Sequence, residues 1–167
     1  MKKSNMINVT KGFLYTVLAL FLVGTMINCG GSSSSPAQVQ APKALIQEYI
    51  AMHETMVDTS LVNFYVQDEK PRMAAAVKKT IDEKKAAGEL ETLQQATFDF
   101  TNLQIAVVGE KEEYIDDQPT KLIKVSVTGS YTMKQAENST TIPADETIIF
   151  GIVNKSWKVT EKINPWS

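Results

Sequence analysis

The sequence predicts an α+β domain, with helices packed on one face of a curved, antiparallel, four-stranded sheet. Three observations lead there. Apolar residues recur at three- and four-residue steps between residues 43 and 93. From Phe98 the period becomes two, and residues 97–163 read as strands. The two regimes follow one another instead of alternating, which excludes a parallel βαβ sheet and favours helices segregated to one face.

Pro42 can open the first helix, because its missing N–H falls in the first turn. Leu45, Ile46, Tyr49, Ile50, His53, Met56 and Val57 form a single apolar stripe along it. Asp58-Thr59-Ser60 can stop that helix and cap a short turn carrying Leu61, Val62, Phe64 and Tyr65. Asp68-Glu69 reads as a solvated turn before Pro71, which begins a second long helix. Met73, Ala74, Val77 and Ile81 are its apolar stripe, and Lys78, Lys79, Asp82, Glu83, Lys84 and Lys85 its solvated face. Gly88 is placed to end it in the left-handed conformation, and Leu90 and Leu93 add a final turn.

The strands follow. Phe98 and Phe100 alternate, then Leu103, Ile105 and Val107, with Asp116-Asp117-Gln118-Pro119 as a break. Ile123, Val125, Val127, Gly129, Tyr131 and Met133 share one face of the next strand, with Lys124, Ser126, Thr128, Ser130, Thr132 and Lys134 on the other. Ala136–Thr141 is a polar turn. Glu146–Val153 is apolar on both faces, so it is expected to be central or covered twice. Asn154-Lys155 is a tight hairpin, and Trp157, Val159 and Ile163 mark the last strand. Trp166, after Pro165, is expected to close an open end of the domain or to face a partner.

The chain has 167 residues, enough for one ordinary domain. Its 43% hydrophobic and 22% charged content is that of a globular protein. A domain of about 120 residues buries roughly two-thirds of its unfolded surface. Lys2, Lys3 and Lys11 precede residue 29 and no acid does, so the remainder holds 14 basic and 19 acidic residues, a formal charge near −5. Such a domain has no broad attraction for phosphate backbones, which argues against nucleic-acid binding.

The N-terminal region reads as an address. Three lysines precede an apolar run, Phe13 to Val23, and then come Gly24-Thr25-Met26-Ile27-Asn28-Cys29. A basic start, an apolar stretch of about 7–15 residues and a short exit are the parts of a secretory signal peptide. Met26-Ile27-Asn28-Cys29 resembles a bacterial lipobox, departing from it in carrying Asn28 where a small residue is usual. The resemblance implies a diacylglycerol-modified Cys29, cleavage before it, and a membrane partner reached through that lipid. With Gly30 and not Asp after the cysteine, it also implies the outer membrane, facing the periplasm, in a Gram-negative cell. The run Phe13–Ile27 is short of the roughly 20 residues that span a bilayer, which disfavours an uncleaved anchor. Gly30-Gly31-Ser32-Ser33-Ser34-Ser35-Pro36 is a flexible tether. The expected organisation is a signal peptide over residues 1–28, lipidated cysteine and tether over 29–41, and a globular domain over 42–167.

The helices-then-strands order, the helix ending near Ser60, the Pro71–Gly88 helix and the closing hairpin Glu146–Ile163 with its Trp157-x-Val159 finish resemble the nuclear-transport-factor-two-like, or cystatin-like, family. The resemblance implies a cone, in which the sheet wraps the long helix and encloses a pocket. Some members are isomerases, dehydratases or cyclases and many are binding modules, so the fold alone does not settle function.

Residues able to do chemistry are few. His53 is the single histidine and Cys29 the single cysteine, so neither a zinc site nor an intramolecular disulfide has its ligands. Ketosteroid-isomerase-like members pair an Asp with a Tyr or second acid. His53, Asp58 and Tyr65 are the candidates for that reading, with Tyr49, Tyr131, Asp68 and Glu69 behind them. Each has a plainer account as a helix, cap or turn residue. Asp116-Asp117 and Glu110–Glu113 match no calcium-loop spacing, and no phosphate-cradling glycine loop is present, so neither metal nor cofactor is expected. The expected function is a non-catalytic, membrane-tethered envelope module binding a small apolar ligand or an envelope protein. The alternatives are an acid–base isomerase or dehydratase acting on a hydrophobic substrate, and a structural envelope component.

Overall fold

A computed structural model describes residues 40–115 and 117–167. The expected signal peptide, Cys29 and nearly all of the tether lie outside them. The described residues form one compact unit with its own core, as expected of a segment able to fold alone.

Helix α1 spans Lys43–Thr55 and buries Ile46, Tyr49 and Ile50, the centre of the stripe expected from the sequence; His53 is exposed, and Met56 and Val57 lie beyond the helix end. It ends where Met56 turns left-handed at φ 52° and its N–H returns to Met52 O at 2.8 Å. A 3₁₀ segment, Thr59–Phe64, follows, capped by Asp58, whose carboxylate accepts the Ser60 N–H at 2.8 Å. Helix α2 spans Lys70–Ala87, with Pro71 in its first turn and Met73 and Val77 buried. Gly88, at φ +72°, closes it as the sequence foretells. Helix α3, Leu90–Gln94, adds one turn.

The sheet is curved, antiparallel and five-stranded, where the sequence suggested four. Strands β1 (Thr97–Asp99) and β2 (Leu103–Ile115) both pair with β3 (Gln118–Gln135), which pairs with β4 (Asn138–Val153), and β4 with β5 (Ser156–Val159). The extra strand arises because the first edge is broken. The Asp99 carboxylate accepts the Thr101 N–H at 3.0 Å and its hydroxyl at 2.6 Å, a local turn that competes with the ladder. That hydroxyl bond, ahead of the amide bond, holds the Asp99 carboxyl below the usual range. Across the break, Gly129 stands at φ +100°, and a Cβ there would meet Asn102 O at 2.3 Å.

Two other boundaries differ from expectation. The β3–β4 turn is confined to Ala136-Glu137, and the Asn138–Thr141 stretch expected as a loop pairs with β3. Polar residues at a sheet margin carry no hydrophobic signal to mark them as strand. The last strand ends at Val159, not Ile163, because Thr160, Glu161 and Lys162 bend around the Glu69 carboxylate. Asn154-Lys155 does form the tight turn, both residues at positive φ (50° and 64°).

The main core lies between helices and sheet. Ile123, Val125, Val127 and Tyr131 of β3 face Ile46, Leu61, Met73 and Val77, with Phe150 fully buried among them and edge-on to Trp157 at 5.5 Å. A second cluster of Val66, Ile115, Leu122 and Ile149 lies on the opposite face, under Ile163 and Trp166 of the C-terminal segment. β4 is thus covered on both faces, as its apolar run suggested. Trp166 is partly buried over Gly109, where a Cβ would meet Nε1 at 2.9 Å, with Lys111 and Lys124 nitrogens 5.5 and 5.8 Å from its ring.

Glu69, expected in solvent, is fully buried. Its carboxylate accepts the Thr160 hydroxyl at 2.7 Å and the Glu161 N–H at 3.1 Å, with the Lys162 N–H at 3.4 Å. Removing an acceptor from buried donors costs the desolvation of each. Glu69→Ala is expected to destabilise the domain by about 3–5 kcal/mol, seen as a lower urea midpoint at an unchanged slope. A loss under about 1 kcal/mol, the size of an ordinary surface change, would show that the C-terminal segment is held by something else.

Candidate functional site

Two cavities flank α1. The larger, about 610 Å³, opens between the C-terminal end of α1, the start of the 3₁₀ segment, α2, α3 and β1. Met52, Val57, Ile81, Leu93, Ala96 and Phe98 form the apolar part of its wall. Thr55, Asp58, Thr59 and Gln94 supply its polar groups. The local folding explains the opening. Gly88 breaks the helix, α3 turns back, and the chain reaches β1 through Ala96, leaving a gap beside Ile81. The Thr55 hydroxyl is spent on Ala51 O at 3.3 Å, and one Asp58 oxygen on the Ser60 N–H.

The smaller cavity, about 390 Å³, lies between α1 and residues 142–146 of β4. Tyr49, His53, Glu54, Tyr131, Asp145 and Glu146 are among its lining. The Tyr131 hydroxyl donates to Glu54 at 2.7 Å. Burial first, and the Glu54 bond second, push the Tyr131 phenol up.

A polar chain runs from this cavity through the core and out to the exposed Glu161 and Arg72. The Tyr49 and Tyr65 hydroxyls are 3.1 Å apart, and Tyr65 donates to Glu161 at 3.0 Å. Glu161 in turn pairs closely with Arg72, which lies 3.5 Å from Glu69. Burial raises the Tyr65 phenol far above its usual value, and the bond to Tyr49 adds to this. Tyr49 is pushed up to about 12, also chiefly by burial; its bond to Tyr65 opposes the shift. Both phenols therefore hold their protons across the physiological range.

The three candidates for acid–base chemistry occupy three different places. His53 is exposed on α1, its ring 5.4 Å from that of Tyr49, and lines the smaller cavity. Asp58 is exposed and lines the larger one. Tyr65 is fully buried and lines neither. Asp68 is exposed and paired with Lys162 at 3.0 Å. Among the described residues, no group of three His, Cys, Asp or Glu side chains is placed to hold a metal ion. No described helix is long and apolar enough to cross a membrane.

The sequence reading placed Val57 and Ile81 on helical stripes and did not single out Met52; it did not bring them to one cleft with Leu93 and Phe98. Nor did it connect Glu54 with Asp145 and Glu146, some 90 residues apart in the chain; only the register of β4 against α1 joins them. No known protein family, curated protein or solved structure matches the chain.

The raised phenols make an alkaline prediction. A group that titrates at 10 in the unfolded chain and about 12 in the fold contributes stability below pH 10 and loses it as pH rises toward 12. Unfolding free energy measured by urea titration is expected to fall across that window, and less steeply in Tyr49→Phe. An equal slope in the variant would remove Tyr49 as a cause.

Proposed function

We propose that this chain is a lipid-anchored cell-envelope protein whose domain is a non-catalytic binding module for a small apolar ligand. The observation that carries the binding reading is the larger cleft. Its volume of about 610 Å³ falls within the roughly 300–1,000 Å³ usual for small-molecule sites, and such sites join apolar walls to a few placed polar groups. His53, Asp58 and Tyr65 lie in three different places, which favours the binding reading over a centre built from those three. The cone-like, nuclear-transport-factor-two-like reading is consistent with helices laid on one face of a curved sheet. The anchor rests on the lipobox-like Met26–Cys29, the preceding apolar run and the Gly/Ser tether that ends shortly before α1. A diacyl group supplies tens of buried methylenes at about 0.8 kcal/mol each, so it holds a domain at a bilayer without a spanning helix. In a Gram-negative cell, Gly30 after the cysteine favours the periplasmic side of the outer membrane.

Two measurements test the two halves. Residues 40–167 are expected to bind phenylnaphthylamine, an uncharged environment-sensitive dye, with micromolar affinity. Ala96→Trp, filling the cleft, is expected to weaken this at least tenfold with little change in melting temperature. Unaltered dye binding by the folded variant would move the site elsewhere. In cells, the full chain is expected to fractionate with membranes and Cys29→Ser to lose acylation. An intact Met1 by mass spectrometry would contradict the anchor.

A further inference from the structure

We infer that the ligand of the larger cleft carries its polar end as an ammonium or other hydrogen-bond donor, and not as a carboxylate. This rests on the binding reading above and adds the ligand's chemical class. Asp58 is the one charged residue in the cleft lining, which contains no Lys, Arg or His. One oxygen of Asp58 accepts the Ser60 N–H, and the residue is exposed. The last turn of α1 also borders the cleft, through Met52 and Thr55. The C-terminal end of a helix presents carbonyl oxygens and the negative end of its dipole, so it favours cations as Asp58 does. The remaining polar side chains able to meet a ligand, Thr59 and Gln94, are neutral.

A fatty-acid-like carboxylate bound against the apolar wall would therefore lie beside a like charge, with the neutral Thr59 and Gln94 as the side chains able to donate to it. An alkylammonium of the same length would meet acceptors and an opposite charge. The Asp58 carboxylate is open to water, so its contribution is screened and shrinks as salt is added.

The test compares octylamine, octanol and octanoate, three probes with one apolar tail, binding to residues 40–167 by calorimetry at low salt. Octylamine is expected to bind about tenfold tighter than octanoate, with octanol between, and the gap to narrow at high salt. Asp58→Asn retains a good cap residue, so the fold is kept, and it should bring the three probes together. Equal binding by the unsubstituted domain, or tighter octanoate, would overturn the inference while leaving the cleft as an apolar site. Failure of octanol and the other two alike would overturn the binding reading itself. A preference for octylamine that survives Asp58→Asn but is lost in Glu146→Gln would overturn the assignment too, placing the cation in the smaller cavity.

Discussion

The Glu69 carboxylate is the constraint on which much of this structure depends. It sits at the start of α2, buried, and gathers the hydroxyl and amides of Thr160, Glu161 and Lys162. A buried charge is costly unless several donors meet it, and here the chain leaving β5 bends to supply them. That bend ends the last strand early and sends the C-terminal segment across the other face of the sheet, where Ile163 and Trp166 cover Leu122 and Ile149. The same bend brings Glu161 to Tyr65 and Arg72. One side chain thus joins the helical layer, the end of the sheet and both apolar clusters.

The cleft depends on this indirectly. Glu69 fixes where α2 begins, and the left-handed Gly88 fixes where it stops. Between those points Ile81 has one placement against β1 and α1, and α3 must return across the gap. The break between β1 and β2 contributes as well. Phe98, on the short β1, stacks with Phe100 at 5.8 Å, and both lie against Tyr131. The aromatic wall of the cleft is therefore backed by the core and is not a loose flap.

Much of the fold was legible in the sequence because it rests on periodicity and local chemistry. The α1 stripe, the Asp58 cap, the Gly88 stop, the alternation of β3 and the Asn154-Lys155 turn are each decided within a few residues. What was not legible depends on partners distant in the chain. Glu69 looks like a turn acid until Thr160, 91 residues later, is placed beside it. The break after Asp99 needs Gly129 opposite, and the margin of β4 is strand only because β3 lies alongside. The site was less legible than the fold for the same reason: Val57, Ile81, Leu93 and Phe98 each read as ordinary helix or strand residues, and only their convergence leaves a cavity. His53 and Asp58 were noticed for their chemistry, but residue type could not reveal that they border different cavities.

Native-state hydrogen exchange of the Glu161 and Lys162 amides tests the dependence on Glu69 most directly. If the carboxylate holds helices and sheet together, these amides should exchange only through an opening as costly as global unfolding, as the β3 core amides do. Exchange through a cheap local opening, with β3 still protected, would mean that the C-terminal segment is an independent flap and that Glu69 does not unite the fold.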